Sequence, residues 1–140
     1  MILSIYPVLA VLIVIALAIV LSSLKILREY KLPATFFVPG WTVEKYQQRI
    51  HEILADGHEI GHHGYLHKCP DRNRLDEARE EIDRGLEALL VRLGVRPVGY
   101  RAPSGENFPE LLAHLAARGL RYSSSFRDDI RPYQHRLADG

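Results

Sequence analysis

Apolar and polar positions divide this chain into a uniformly apolar beginning and a remainder in which short β-branched runs alternate with helical repeats. Val8 to Val20 is an unbroken run of Val, Leu, Ile and Ala, and no charged side chain occurs between Met1 and Leu21. About 20 apolar residues of helix suffice to cross the hydrocarbon core of a bilayer, and a surface helix would instead show a polar stripe. The pattern therefore predicts a transmembrane helix over residues 1–22, followed by a separate domain over 23–140. A signal peptide is the rival reading, although it calls for a basic start and no Lys or Arg precedes Lys25. A buried segment, or one produced by truncation, is the third. Lys25, Arg28 and Lys31 follow the run, so the positive-inside rule predicts a single-pass membrane protein with its folded part in the cytoplasm. A soluble cytoplasmic or secreted chain is the alternative.

Beyond the run, Leu24, Ile26, Leu27 and Tyr30 extend a helical segment to Lys31, and Pro33 stops it. Thr35 to Val38 is β-branched and aromatic between Pro33 and Pro39-Gly40, which predicts a buried strand. Thr42 is expected to cap a helix reaching Asp56, with Val43, Tyr46, Ile50, Ile53 and Leu54 on one face and Gly57 as its left-handed end. His58 to Gly61 reads as extended. Leu75, Ala78, Ile82, Leu86, Leu89 and Leu93 recur at helical spacing and predict a helix over Arg74 to Leu93, ended by Gly94. Val98 to Arg101 is a further strand. Asn107 is expected to cap a helix from Pro109 to just before Gly119, and Leu120 to Ser124 is another strand. Strand alternating with helix is the signature of an α/β fold with a parallel sheet or barrel. Chemistry in such folds gathers at the loops after the strands. Three polar clusters fall there: His62 to His67, Arg101 to Ser104, and Ser123 to Arg131.

Composition narrows the function. A length of 140 residues fits one domain, and a net charge of +1 lacks the basic excess of a nucleic-acid module. The single cysteine, Cys69, excludes an internal disulfide and a thiolate zinc site. Four of the seven histidines fall between His58 and His67. His63 and His67, four apart, can converge on one metal across a helical turn or a tight loop. A catalytic zinc usually takes three protein ligands, so a third is called for, most often a carboxylate. His58-Glu59-Ile60-Gly61-His62 also matches the HExxH pattern of zinc metalloproteases, which Glu80 or Glu81 could complete. That pattern needs a helix, and Gly57, Gly61 and Gly64 oppose one. A set of loop histidines that bind nothing is the remaining reading.

Pro33-Ala34-Thr35-Phe36-Phe37-Val38-Pro39-Gly40, then Gly57 to His67 (GHEIGHHGYLH), then Gly99-Tyr100-Arg101-Ala102-Pro103-Ser104 together resemble the polysaccharide deacetylase family, whose NodB-homology fold is a distorted (β/α) barrel. The resemblance runs from about Leu24 to Tyr133. The stretch Asp128 to Tyr133 is similar to the branch holding peptidoglycan deacetylase-like and allantoinase-like members. The resemblance implies hydrolysis of non-peptide carbon–nitrogen amide bonds in carbohydrate metabolism, with an N-acetylated glycan or related amide as substrate and a divalent metal, zinc first, as cofactor. It makes His63 and His67 the metal ligands of the motif H-(S/T)-x-x-H, with Gly64 where most members carry Ser or Thr. It makes Arg101 the residue that orients a catalytic aspartate, and Tyr100 and Pro103 part of the substrate groove. Tyr122-Ser123-Ser124-Ser125 departs from a common Tyr-Asp-Ser-Ser.

The same resemblance calls for a strand ending in paired aspartates ahead of Thr35 to Val38, and for later motifs carrying the acid. The apolar run stands at the first place, and no aspartate precedes Asp56. The expected architecture is thus an incomplete (β/α) barrel preceded by an apolar N-terminal helix, weak or inactive by itself and liable to self-associate through unpaired sheet edges. A membrane-anchored, non-catalytic metal-binding or assembly module is the second reading of the same surface.

Overall fold

The computed structural model describes residues 22–125 and 133–134, and the chain divides into two compact units, Met1–Ala34 and Thr35–Gly140. In the first unit, residues 22–29 are helical (α1) and the chain turns at Lys31, whose φ is 52°. The second unit holds β1 (Thr35–Val38), α2 (Gly40–Ala55), β2 (Glu59–His62), a single 3-10 turn (Arg72–Arg74), α3 (Leu75–Leu93), β3 (Gly99–Tyr100), α4 (Pro109–Ala117) and β4 (Tyr122–Ser123). The four strands form one sheet in the order β1-β2-β3-β4, and every pairing is parallel. Parallel neighbours require crossover connections, which the intervening helices supply.

Strand alternation sorts the sheet into two faces. Ile60, His62 and Tyr100 point toward the helices, where Tyr100 packs with Ala78 and Ile82 of α3 and with Leu111 and Leu115 of α4. The other face carries Phe37, whose ring fills the space beside Gly61, and Tyr122, whose ring lies against Gly99. Those two rings meet edge to face at 6.4 Å. Glu59 closes the amino-terminal end of this face, accepting from the Thr35 hydroxyl at 2.7 Å and from the Tyr122 hydroxyl at 2.8 Å. On the outside, Asp83 of α3 ties down α4. Its carboxylate accepts two bonds from the Arg118 guanidinium, each 2.7 Å, and one from His114 Nε2 at 2.9 Å. The Arg118 pairing, chiefly, holds the Asp83 carboxyl below the usual carboxylate range.

Several expectations shift. The helix expected from Thr42 begins at Gly40 with no side-chain cap. Its leading donors are satisfied from outside the helix, Gly40 N–H by the Gly64 carbonyl (2.9 Å) and Trp41 N–H by the Tyr65 carbonyl (3.2 Å). It ends as expected, with Gly57 at φ 81° and the His58 amide reaching back to Ile53. Asn107 does not cap α4: Phe108 holds that position, and the Asn107 side chain donates to Ser123 instead. β3 and β4 are two residues each, shorter than the sequence suggests.

The single-pass membrane placement is corrected: among the described residues, no helix is long and apolar enough to cross a membrane. The apolar run on which the transmembrane helix of residues 1–22 and the cytoplasmic orientation rested lies, up to residue 21, outside the described residues. The apolar N-terminal helix therefore gains no support. Self-association through the sheet edges gains none either, since β1 is four residues long and β4 two, and such short edges are poor templates for pairing.

Candidate active site

Every strand points its carboxyl end the same way, so the segments that follow β2, β3 and β4 meet along one edge. The ladder continues past the strands there: Arg101 N–H donates to the His62 carbonyl at 3.0 Å, and Ser124 N–H to the Tyr100 carbonyl at 2.8 Å. Side chains then join the three ends. His63 Nδ1 lies 2.6 Å from the Arg101 carbonyl. A carbonyl only accepts, so Nδ1 carries the proton and Nε2 keeps its lone pair. Burial, foremost, lowers the His63 pKa, with His67 and Arg101 adding to it against the opposing pull of the carbonyl. The ring is thus neutral at neutral pH, the form in which imidazole binds metals.

The His67 ring stands edge-on to that of His63, with centroids 4.8 Å apart. His67 reaches this place with φ 63°, a left-handed backbone that costs a non-glycine residue roughly 1–2 kcal/mol. Gly64, at φ 78°, starts the same loop and takes a conformation that the Ser or Thr of the resembled motif would strain to adopt. The Gly64 and Tyr65 carbonyls bind the start of α2, as above. The Tyr65 and Leu66 amides both donate to one oxygen, Oε2 of Glu81 on α3, at 3.1 and 2.8 Å. The Tyr65 hydroxyl donates to Glu44 of α2 at 3.0 Å, and the Arg84 guanidinium lies 4.1 Å from the centre of the Tyr65 ring.

Arg101 projects on the face away from the helices. Nε donates to the Ser124 carbonyl (3.1 Å), one terminal nitrogen donates to the Ser124 hydroxyl (2.6 Å), and the guanidinium carbon lies 4.9 Å from the centre of the Phe37 ring. Two contacts and a stacking surface fix the guanidinium plane and leave other donors for a carboxylate. Beside it, Ala102 N–H donates to the Ser125 hydroxyl at 2.8 Å. Pro103 and Tyr100 line a cleft of about 310 Å³ with Gly64, Lys68 and Glu81. Tyr100 is nonetheless only 1% exposed, so most of its ring belongs to the core; burial raises the pKa of its phenol.

His58 lies beyond the opposite end of β2, whereas His62 ends β2 at this edge and turns its ring to the helix face. The two occupy positions on and beside β2, not a helix, so their spacing of four runs along a strand rather than round one helical turn. The HExxH reading is thereby corrected: His58 and His62 cannot share an ion with Glu59 as base. Glu81 is committed to the Tyr65 and Leu66 amides, and neither it nor Glu80 completes that site. His62 is fully buried and His58 is 7% exposed, and no ring nitrogen of either has a hydrogen-bond partner. The Asp128 to Arg131 stretch lies outside the described residues.

His63 and His67 fit a divalent metal as a two-imidazole half-site: one ring is neutral with its outer nitrogen free, and the second ring is beside it. Among the described residues, no group of three His, Cys, Asp or Glu side chains could hold an ion. Sequence reasoning missed Glu81 as the support of this loop and Gly85 as the contact behind it. Both had a visible signal, because a carboxylate and a glycine interrupt the apolar face of α3 between Ala78 and Leu89.

Comparison with known proteins identifies the family. The profile of the polysaccharide deacetylase family matches residues 19–123. A peptidoglycan deacetylase of Helicobacter pylori is 33% identical over 118 residues, which are 83% of this chain and 40% of that protein. A chitooligosaccharide deacetylase of a Bradyrhizobium strain is 32% identical over 120 residues, 81% of this chain and 54% of that one. A crystal structure from Mycobacterium smegmatis, assigned to the polysaccharide deacetylases, superposes with a TM-score of 0.78 at 44% identity, covering 84% of this chain and 41% of that one. The chain thus spans about half or less of the length of these relatives.

Proposed function

Because this chain belongs to the polysaccharide deacetylase family, we propose that it supplies the metal-binding edge of a hydrolase that removes acetyl groups from an N-acetylated glycan. The reaction class is hydrolysis of a non-peptide amide bond. The observation that carries this reading is the His63–His67 pair at the carboxyl end of β2, with His63 Nδ1 engaged by the Arg101 carbonyl and Nε2 left free. These two side chains would hold a divalent cation, zinc by the nitrogen character of the donors. Such an ion polarises an amide carbonyl and acidifies water, which is the chemistry amide hydrolysis requires.

The chain's own residues do the rest of what this edge can do. His63 is held in one tautomer and orientation. Arg101, clamped by Ser124 and Phe37, presents its remaining N–H donors to a carboxylate, the orienting role that the family pattern gives it. Pro103 and the rim of Tyr100 form one wall of the cleft into which a sugar ring would fit. The third ligand, the base and the acid would be carboxylate and histidine groups that the described residues do not bring to this edge, and the four-stranded parallel sheet would be the portion that carries two ligands.

Metal content tests the reading. After equilibration with zinc and removal of excess, His63→Ala and His67→Ala should each lose at least about tenfold in affinity, the scale on which a missing ligand or its support is felt. His58→Ala should bind as the parent does. Unchanged binding in both ligand variants would remove the basis for the proposal.

A further inference from the structure

We propose that Glu81 is a positioning residue for the metal site: through one carboxylate oxygen it fixes the backbone of the loop that brings His67 against His63. The inference rests on the reading of those two histidines as ligands. It concerns how the pair is held, and Glu81 itself touches neither ring.

The geometry is specific. Glu81 lies on α3, 14 residues from His67 in sequence, and is 8% exposed. Its Oε2 accepts from two successive amides, Tyr65 N–H at 3.1 Å and Leu66 N–H at 2.8 Å. Two consecutive amides aimed at one oxygen fix the peptide planes on both sides of Tyr65. His67 follows directly and holds φ 63°. A left-handed non-glycine residue persists only where its surroundings over-determine it. The surroundings here are those two bonds together with the Gly64 and Tyr65 carbonyls on α2, so the loop is clamped from both sides. The other oxygen, Oε1, is 3.9 Å from Lys68 Nζ, the residue after His67. Among the described residues, the hydrogen bonds and the ion pair of Glu81 are all with the loop segment Tyr65 to Lys68. The residue also answers a problem of burial, since a carboxylate at this depth needs charge-assisted donors, and the loop amides are those donors. The relation is reciprocal: the loop satisfies Glu81, and Glu81 orders the loop.

Because a single oxygen takes both amides, an amide side chain can replace it. A glutamine carbonyl accepts the same two bonds without the charge, whereas leucine accepts none. That contrast separates positioning from a plain electrostatic effect of a nearby negative charge. The experiment uses the whole chain and cobalt(II), whose visible absorption reports both affinity and coordination. With the circular dichroism of each variant matched to the parent, Glu81→Leu should weaken cobalt binding by about tenfold to a hundredfold, the range seen when a residue supporting a metal ligand is lost. Glu81→Gln should stay within about threefold of the parent, well short of that range, and keep the parent's absorption envelope. Parent-like affinity in Glu81→Leu would overturn the proposal, as would a Glu81→Gln variant as weak as Glu81→Leu. Failure of the underlying reading looks different: His63→Ala and His67→Ala would then bind cobalt as the parent does. A second measurement needs neither metal nor a folded leucine variant. In the metal-free parent chain, the Tyr65 and Leu66 amides should exchange with solvent deuterium much more slowly than the rate for an unprotected amide. Exchange of Tyr65 and Leu66 at the unprotected rate would sink the proposal by itself.

Discussion

Replacing Gly85 with alanine is expected to destabilise the domain by about 3 kcal/mol, the upper range for forcing an added group into a filled interior. The sign is what makes this informative. In an open helix the same change stabilises by about 1 kcal/mol, because alanine is the better helix former. Gly85 lies midway along α3, where a Cβ would stand 2.6 Å from the Gly64 carbonyl oxygen and 2.9 Å from its carbon, and would run into Cε1 of His62. Two of those atoms are backbone and the third belongs to a ring with no exposure. None can yield without moving β2 or the histidine loop. Gly40, at the start of α2, faces the same contact, with a Cβ there falling 2.9 Å from the Gly85 Cα. A glycine pair thus lets α2, α3 and the histidine loop converge. Urea denaturation should show a lower midpoint with an unchanged slope. An alanine variant as stable as the parent would mean that α3 does not approach the loop this closely.

Acid should begin to destabilise the metal-free domain above the range in which carboxylates titrate, and His62 should be the cause. Burial, aided by the neighbouring His63 and opposed by Asp83, lowers its pKa from 6.5 to about 3. The folded-state value lies below the unfolded one, so the unfolded chain binds the proton more readily. Stability is full above pH 6.5 and is lost as pH falls toward the folded value. Within that window the loss is about 1.4 kcal/mol per pH unit, so about 2 kcal/mol is gone by pH 5. A domain of this size has a total stability on the order of 5–15 kcal/mol, which makes such a loss decisive near pH 4. His62→Leu should flatten the profile between pH 6.5 and 4. It should leave neutral stability intact or raise it, since neither ring nitrogen has a hydrogen-bond partner to lose. Denaturation midpoints of parent and variant across that interval provide the measurement. Parallel profiles would show that some other group governs acid unfolding.

What could be read from the residues alone follows from which forces are local. The repeat from Leu75 to Leu93 gave α3 its length, because helical burial writes a period into the chain. Thr35 to Val38 and the left-handed end at Gly57 were legible for the same reason. His63 and His67 stood out by spacing, and the glycines around His58 to His62 already argued against a helix there. The misreadings arise where a distant group takes over a local role. Thr42 and Asn107 have the chemistry of caps, yet the donors of α2 go to the Gly64 and Tyr65 carbonyls and Asn107 turns to Ser123. The sorting of His62 to the helix face and His63 to the open face depends on the phase of β2, which adjacent residue names do not reveal. The partnership of Glu81 with Tyr65 and Leu66 joins segments that only the folded chain brings together.

The external capping of α2 has a consequence for the order of events in folding. A helix whose leading amides are satisfied by its own Thr or Ser can complete its first turn as a local act. Here Gly40 and Trp41 wait for Gly64 and Tyr65, which arrive 24 residues later in the chain. Until β1 and β2 pair, the first turn of α2 is unfinished and the two imidazoles have no fixed separation. The histidine pair is therefore a late product of assembly rather than a template for it. An ion bound there would act on the return journey, holding closed a structure that the chain must already have built, and so would slow unfolding while leaving the folding rate nearly untouched.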